Sequence, residues 1–231
     1  PDAASVLGVV FLNARRLGVE VKLIPPNRPQ ALRQFWHSSG LAHLIAHGTC
    51  LASEDIQSAV VPLSQYRTAG FNDADKIIRL VHRFSELSCD NEEYLRICVN
   101  EVVQNVQDHS GSMIGCVMSA RFMVSSGEVR VAIVDHGVGI CSSLQKRFPD
   151  TTPSLALKRV TQGHYSAMSR VNNMGLGISN LCGIVDVLGG DIFILSDKAA
   201  AVKHPNRAWD IREQSFDFEG TGVFFTLPVG T

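Results

Sequence analysis

No stretch of the chain approaches the ~20 consecutive apolar residues that a membrane-spanning helix needs. No block of Lys and Arg is dense enough to neutralise a run of nucleic-acid phosphates. Lys and Arg total 21 against 22 Asp and Glu, a formal charge of −1, so no anionic polymer or lipid surface is called for. Of the six cysteines none forms a C-x-x-C pair, and the opening "PDAASVLGVV" lacks the basic segment of a secretory signal. That combination reads as a reduced, cytosolic protein and not as a disulfide framework. His43-x-x-x-His47-x-x-Cys50 has metal-like spacing but no fourth ligand nearby, so it reads as ordinary helix histidines. Internal repeats and low-complexity tracts are absent.

What remains is a globular chain of 231 residues, 45% hydrophobic and 19% charged, long enough for one large domain or two small ones. Over residues 1–70 the patterns alternate. "ASVLGVVFLNARRLG" suits a helix stopped at Gly18, "VEVKLIPP" a β-branched strand, and "RPQALRQFWHSSGLAHLIAHG" one helix or two broken near Ser38–Gly40. "SAVVPLSQY" reads as an edge strand, because Pro62 cannot donate to a ladder. The polar "RTAGFNDAD" marks a candidate domain boundary. Beyond it come two amphipathic helices. The second, "NEEYLRICVNEVVQNVQDHS", places Leu95, Cys98, Val99, Val102, Val103 and Val106 at i, i+3, i+4 spacing. "MIGCVMSARFMV" and "EVRVAIVDHG" predict a hairpin, "GLGISNLCGIVDVLGG" a helix, and "DIFILS" and "GVFFTLPV" two further strands.

Four short motifs carry the chemistry. Glu101 and Asn105, four apart, share one row bordering the apolar stripe, and His109 continues it. An amide oxygen there can ligate a hard cation such as Mg²⁺, and a carboxylate can orient or deprotonate a water aimed at a phosphate. In "AIVDHGVGI" a strand runs into Asp135, followed by Gly137 and Gly139. A carboxylate at a strand end can accept from an exocyclic amine such as that of adenine, and glycines let backbone approach a ligand. In "NNMGLGISN" Gly175 and Gly177 open a helix whose N-terminal amides favour phosphate. This is no Walker A loop, since no G-K-[ST] follows, and it has no third glycine for a dinucleotide fingerprint. "EGTGVFFTLP" leads a strand with Thr221, whose hydroxyl can support recognition from the pocket floor.

In this order the motifs resemble those of the GHKL ATPases with the Bergerat fold: gyrase-type topoisomerases, ninety-kilodalton heat-shock chaperones, histidine kinases and mismatch-repair ATPases. The resemblance covers 75–231 and is nearest to histidine kinases and anti-sigma-factor serine kinases. It implies an α+β sandwich, with helices layered on one face of a mixed, mostly antiparallel sheet, preceded by a small α/β domain over 1–70. It implies ATP and Mg²⁺ as ligands, Glu101 as water-positioning base, Asn105 as Mg²⁺ ligand and Asp135 as reader of the adenine amine. Gly137 and Gly139 would shape the adenine and ribose side, Gly175 and Gly177 would contact phosphates, and Thr221 would back up Asp135. Residues 141–174 would form an ATP lid carrying Lys158, Arg159, His164 and Arg170. The function implied is signalling or regulation, as an ATPase or serine protein kinase acting on a protein partner, with a non-catalytic nucleotide-gated interaction module as the alternative. Neither nucleic acid nor membrane is implied as a partner, and a homodimer is compatible.

Two features depart from that pattern. No helix pair bears a phosphoacceptor histidine, since the residues around His82 in "LVHRFSEL" do not match, and no second catalytic domain follows. "FLNARRLGVEVKLIPPNRPQALRQFWHSSGLAHLI" resembles, in pattern, the latter half of a STAS domain of anti-anti-sigma-factor type.

Overall fold

The computed structural model describes residues 2–21, 24, 29–50, 59–68, 74–162 and 177–229. The helices begin where the periodicity places them: α1 (Asp2–Arg16), α2 (Gln30–Ser38), α3 (Leu41–His47), α4 (Asp75–Phe84) and α5 (Cys89–Asn105). Gly40, at φ 78°, separates α2 from α3 in a left-handed turn that suits glycine. Ser88 caps α5, its side chain accepting from the Asn91 N–H at 3.2 Å. The chain continues through β1 (Val60–Tyr66), β2 (Cys116–Met123), β3 (Glu128–Asp135), α6 (Gly139–Gln145), α7 (Pro153–Thr161), α8 (Gly177–Val187), β4 (Asp191–Lys203) and β5 (Asp210–Pro228). Among the described residues no helix is long and apolar enough to cross a membrane.

The strands form one sheet in the order β1-β2-β3-β5-β4, and every described pair is antiparallel, in keeping with the mostly antiparallel sheet expected. Alternation along the strands feeds two cores. Met118, Phe122, Val131, Ile133, Val223 and Phe225 face α4, α5, α7 and α8. Val117, Ala132, Val134 and Phe224 face α1 and α3 on the other side. The expected helical layer thus lies on one face, and the N-terminal helices α1 and α3 pack on the other. Burial on both sides explains why β2 and β3 read as near-continuous apolar runs.

The described N-terminal elements pack on this same sheet. β1 is its edge strand, and its register slips between Val61 and Ser64, around Pro62. The Leu63 N–H bonds the Ser39 carbonyl at 2.8 Å, tying the α2–α3 turn to that edge. The Gly8 position lets α1 lie close to the sheet, since an added Cβ would sit 3.2 Å from Leu63 and 3.5 Å from Val117. Of the strand expected in "VEVKLIPP", Val19, Glu20, Val21 and Ile24 are not extended into a ladder, with Val19 55% and Ile24 80% exposed; the rest lies outside the described residues. Among the described residues they have no strand partner, and β-branched side chains alone do not make a strand.

β4 and β5 are far longer than "DIFILS" and "GVFFTLPV" suggest. Thirteen residues of straight strand would span ~40 Å. Yet His204 Nδ1 lies 2.6 Å from Asp191 Oδ1, and Lys203 Nζ lies 2.8 Å from Asp186 Oδ1. β4 therefore turns back on itself. The turn coincides with the register slips at Asp197, where φ is 53°. The returning arm buries Ala199 and Ala201 against the helical layer, with Trp209 and Ile211 packed beside them.

A fragment beginning at residue 70 would lose α1, α3 and β1 and bare Val117, Ala132, Val134 and Phe224. Each large apolar side chain lost from burial removes ~1.5–3 kcal/mol. The fragment is expected to bind the dye ANS and melt well below the full chain; equal melting without dye binding would contradict the two-faced core.

Candidate functional site

Glu101 and Asn105 lie half-buried on one flank of α5, as their spacing requires. Immediately after Asn105 the helix widens into a π-helical turn, Val106–Ser110. The wider turn carries His109 off the i+4 row on which the sequence places it. His109 is partly buried, and burial is the main reason its pKa is lowered; Lys146 lowers it further, while Asp108 opposes both. π-turns of this kind are frequent at functional sites. Asn105 Nδ2 is buried with no hydrogen-bond partner among the described residues, as is Asn100 Oδ1 on the same helix. An unmet buried amide costs ~1–3 kcal/mol, which a partner would relieve. Rotating the amide by half a turn presents its oxygen, a donor atom suited to Mg²⁺.

The π-turn also joins the first motif to the second. The Ser110 carbonyl accepts the Val138 N–H at 2.8 Å. Gly137 packs so closely that a Cβ there would sit 2.2 Å from the Ser110 carbonyl oxygen. Asp135, at the end of β3, is 2% exposed. Its carboxylate accepts the Gly137 N–H at 2.8 Å and a second backbone N–H from Thr221. Burial pushes its pKa up to about 7, against the lowering effect of the two N–H donors. Gly220, at φ 115°, brings β5 alongside: a Cβ there would lie 2.3 Å from the Asp135 carbonyl oxygen. Thr221 thus meets Asp135 through its backbone N–H, whereas its hydroxyl lies 3.4 Å from Ser196 Oγ.

Gly139, at φ 75°, opens α6 beside Asp197, whose carboxylate oxygens would stand 2.7 Å from an added Cβ. Ser196 Oγ accepts the Ile140 N–H at 2.9 Å, and Asp197 Oδ2 accepts the Cys141 N–H at 3.0 Å. The first amides of α6 are therefore satisfied by β4 and not held open for an anion. Burial raises the Asp197 pKa, which the Cys141 N–H partly offsets. Sequence reasoning missed Ser196, Asp197 and Ser110. The only local signal was a Ser-Asp pair closing an apolar run, which is common at strand ends.

Gly177 is the first residue of α8; Gly175, His164 and Arg170 lie outside the described residues. Of the stretch 141–174 expected as a lid, residues 141–162 are described. Residues 141–162 hold the packed helices α6 and α7, with Cys141, Leu144, Ala156 and Leu157 buried. Thr151 staples them together. Its carbonyl accepts from Cys141 Sγ at 3.2 Å and Gln145 Nε2 at 2.9 Å, and its Oγ1 accepts from Arg159 Nη1 at 2.6 Å. Arg159 also lies over the Phe148 ring, 4.7 Å from its centroid, and Lys158 is exposed. Among the described residues no three His, Cys, Asp or Glu side chains converge on a metal position. His43 and His47 only pack ring on ring, 4.5 Å apart.

Two consequences can be measured. Gly137→Ala forces the Asp135 loop off Ser110 and is expected to cost more than ~1 kcal/mol of stability through overpacking, with nucleotide affinity falling in step; an unchanged melt and unchanged affinity would contradict the junction. In the ligand-free protein the folded chain holds the Asp135 proton up to about 7, the unfolded chain only to 3.8. The native state therefore binds more protons in that window, and this residue's contribution to stability falls as pH rises through it. Asp135→Asn removes that slope. The wild type should lose up to ~4 kcal/mol relative to the variant between about pH 4 and pH 7 in urea melts; parallel pH profiles would contradict the buried, raised carboxyl.

Residues 90–231 match the family model described as histidine kinase-, DNA gyrase B- and HSP90-like ATPase. No curated protein matches the chain. The matched span runs from the start of α5 through β5, and so contains each of the four motifs. The chain belongs to the histidine kinase-, DNA gyrase B- and HSP90-like ATPases, the GHKL family, whose domain binds ATP.

Proposed function

We propose that this ATP-binding protein takes Mg²⁺ with its nucleotide and uses the γ-phosphate in cytosolic signalling, as a serine protein kinase or slow ATPase acting with a protein partner. The observation that carries the reading is the pairing of two incomplete groups. Asp135 is a buried carboxyl with lone pairs left after two backbone N–H bonds, and Asn105 is a buried amide with an unmet end. The first suits the adenine amine and the second the phosphate end.

In this mechanism Asp135 accepts the exocyclic N–H of adenine, and the Gly137 and Thr221 amides hold the carboxylate in place for it. Asn105 is the residue that would hold Mg²⁺. The ion, when bound, offsets charge on the phosphate oxygens. Glu101, one turn earlier on the same flank, takes the proton of the attacking serine hydroxyl or water as its oxygen bonds to the γ-phosphorus. The bond to the β-phosphate oxygen breaks, and ADP leaves. Gly175 and Gly177 would contact the phosphates, Gly177 as the first residue of α8, and Gly139 would border the ribose. The six cysteines, all free thiols, accord with a reducing compartment.

Titration with a non-hydrolysable ATP analogue and Mg²⁺ should give saturable binding that Asp135→Asn weakens by at least about tenfold. Glu101→Ala should keep binding and lose phosphate release or transfer by ~10²–10⁴-fold. A wild type that binds but never turns over identifies the nucleotide-gated interaction module instead; absence of binding contradicts both.

A further inference from the structure

α1 lies outside the span that matches the family model, yet its last turn reaches the residue that follows Asp135. Asn13 Nδ2 is 3.2 Å from His136 Nε2. The other end of the same amide is fixed, because Asn13 Oδ1 accepts from Arg16 Nε at 3.2 Å and Nη2 at 3.0 Å. A guanidinium only donates, so the amide oxygen must face Arg16 and the NH₂ must face His136. His136 Nε2 is therefore placed to accept from the Asn13 amide. The other polar neighbour of Nε2 is Glu219 Oε2, which stands at 3.6 Å on a side chain 79% exposed. That distance is beyond a hydrogen bond.

His136 cannot shift alone. An added Cβ at Gly220 would meet both the Asp135 carbonyl oxygen at 2.3 Å and the His136 Cα at 2.9 Å, so β5 and the loop after β3 are in backbone contact there. The next residue of β5, Thr221, supplies one of the two N–H groups that hold the Asp135 carboxylate. At its other end α1 is seated firmly. Ala4 and Val9 are wholly buried, and Ser5 Oγ lies 2.8 Å from Ser119 Oγ inside the core. A seated helix thus meets the backbone that shapes the Asp135 carboxyl through the core shared with Val134 and Phe224 and through the Asn13 amide on His136.

We propose that Asn13 is a positioning residue for the Asp135 loop, and that docking of α1 and occupancy of the nucleotide site are thermodynamically linked through its bond to His136. The inference rests on the reading that Asp135 receives adenine. Linkage of binding free energies is reciprocal: if the seated α1 favours nucleotide, nucleotide must favour the seated α1 by the same factor. The segment before the family domain then reports whether the site is filled, and anything that lifts α1 weakens nucleotide binding.

Amide hydrogen exchange of the full chain, with and without a non-hydrolysable ATP analogue and Mg²⁺, tests this. The last turn of α1 is expected to exchange about three- to tenfold more slowly with nucleotide bound, the value of one neutral hydrogen bond. Asn13→Ala should weaken analogue binding by the same factor and abolish the nucleotide effect on α1, while leaving the melt of the ligand-free protein within a few degrees. A purely structural Asn13 would move the melt without touching the nucleotide dependence of exchange. Binding by the wild type with no change in α1 exchange overturns the linkage while leaving the nucleotide reading intact. If Asn13→Ala does not fold, the wild-type exchange comparison decides alone. Failure of the wild type to bind the analogue overturns both.

Discussion

The site depends on a carboxyl kept out of water. Asp135 stands at the end of a central strand, and among the described residues two backbone N–H groups, from Gly137 and Thr221, offset its burial in part. Burying that group without a full set of partners is costly, and the surrounding backbone is arranged around the cost. Gly137 has no side chain because Ser110 occupies the space, and Gly220 has none because the Asp135 carbonyl does. Two of the four motifs owe their glycines to the need to bring backbone against this one residue.

The rest of the fold makes that arrangement stiff. β3 and β5 are interior strands, pressed between the core under α4, α5 and α8 and the core under α1 and α3. Asn105 is delivered by α5, whose final π-turn places Ser110 against the Asp135 loop. The bend in β4 brings Ser196 and Asp197 onto the first amides of α6, so the helix that follows the motif is capped from across the sheet. A binding constellation held by strands and helices on all sides is positioned more precisely than one on free loops.

How much of this could be read in the chain follows from the range of each interaction. Helices α4 and α5 and the β2–β3 hairpin declare themselves through strong local periodicity, and so do the four motifs, because glycines, carboxylates and amides at fixed spacing are local facts. The long β4–β5 arm did not. "DKAAAVK" and "DIREQSFDFE" lack the apolar alternation of a strand, since their burial comes from folding back over the helical layer. The π-turn was invisible because a 3.6-residue period assumes the helix stays regular. Ser196 and Asp197 act 56 residues away from the amides they cap, which no spacing rule reaches. The helices within 141–162 are hard to read locally because polar residues outnumber the few buried ones, Leu144, Ala156 and Leu157, that hold them down.

The central claim is that the buried Asp135 carboxyl reads an exocyclic amine. Comparing the affinities of ATP and ITP for the purified chain tests it most directly, since the two differ in having an amine or a carbonyl at that position of the base. The account predicts ATP binding tighter by at least about tenfold, because a carbonyl facing the carboxylate leaves both acceptors unmet. Equal affinity for the two nucleotides would contradict it.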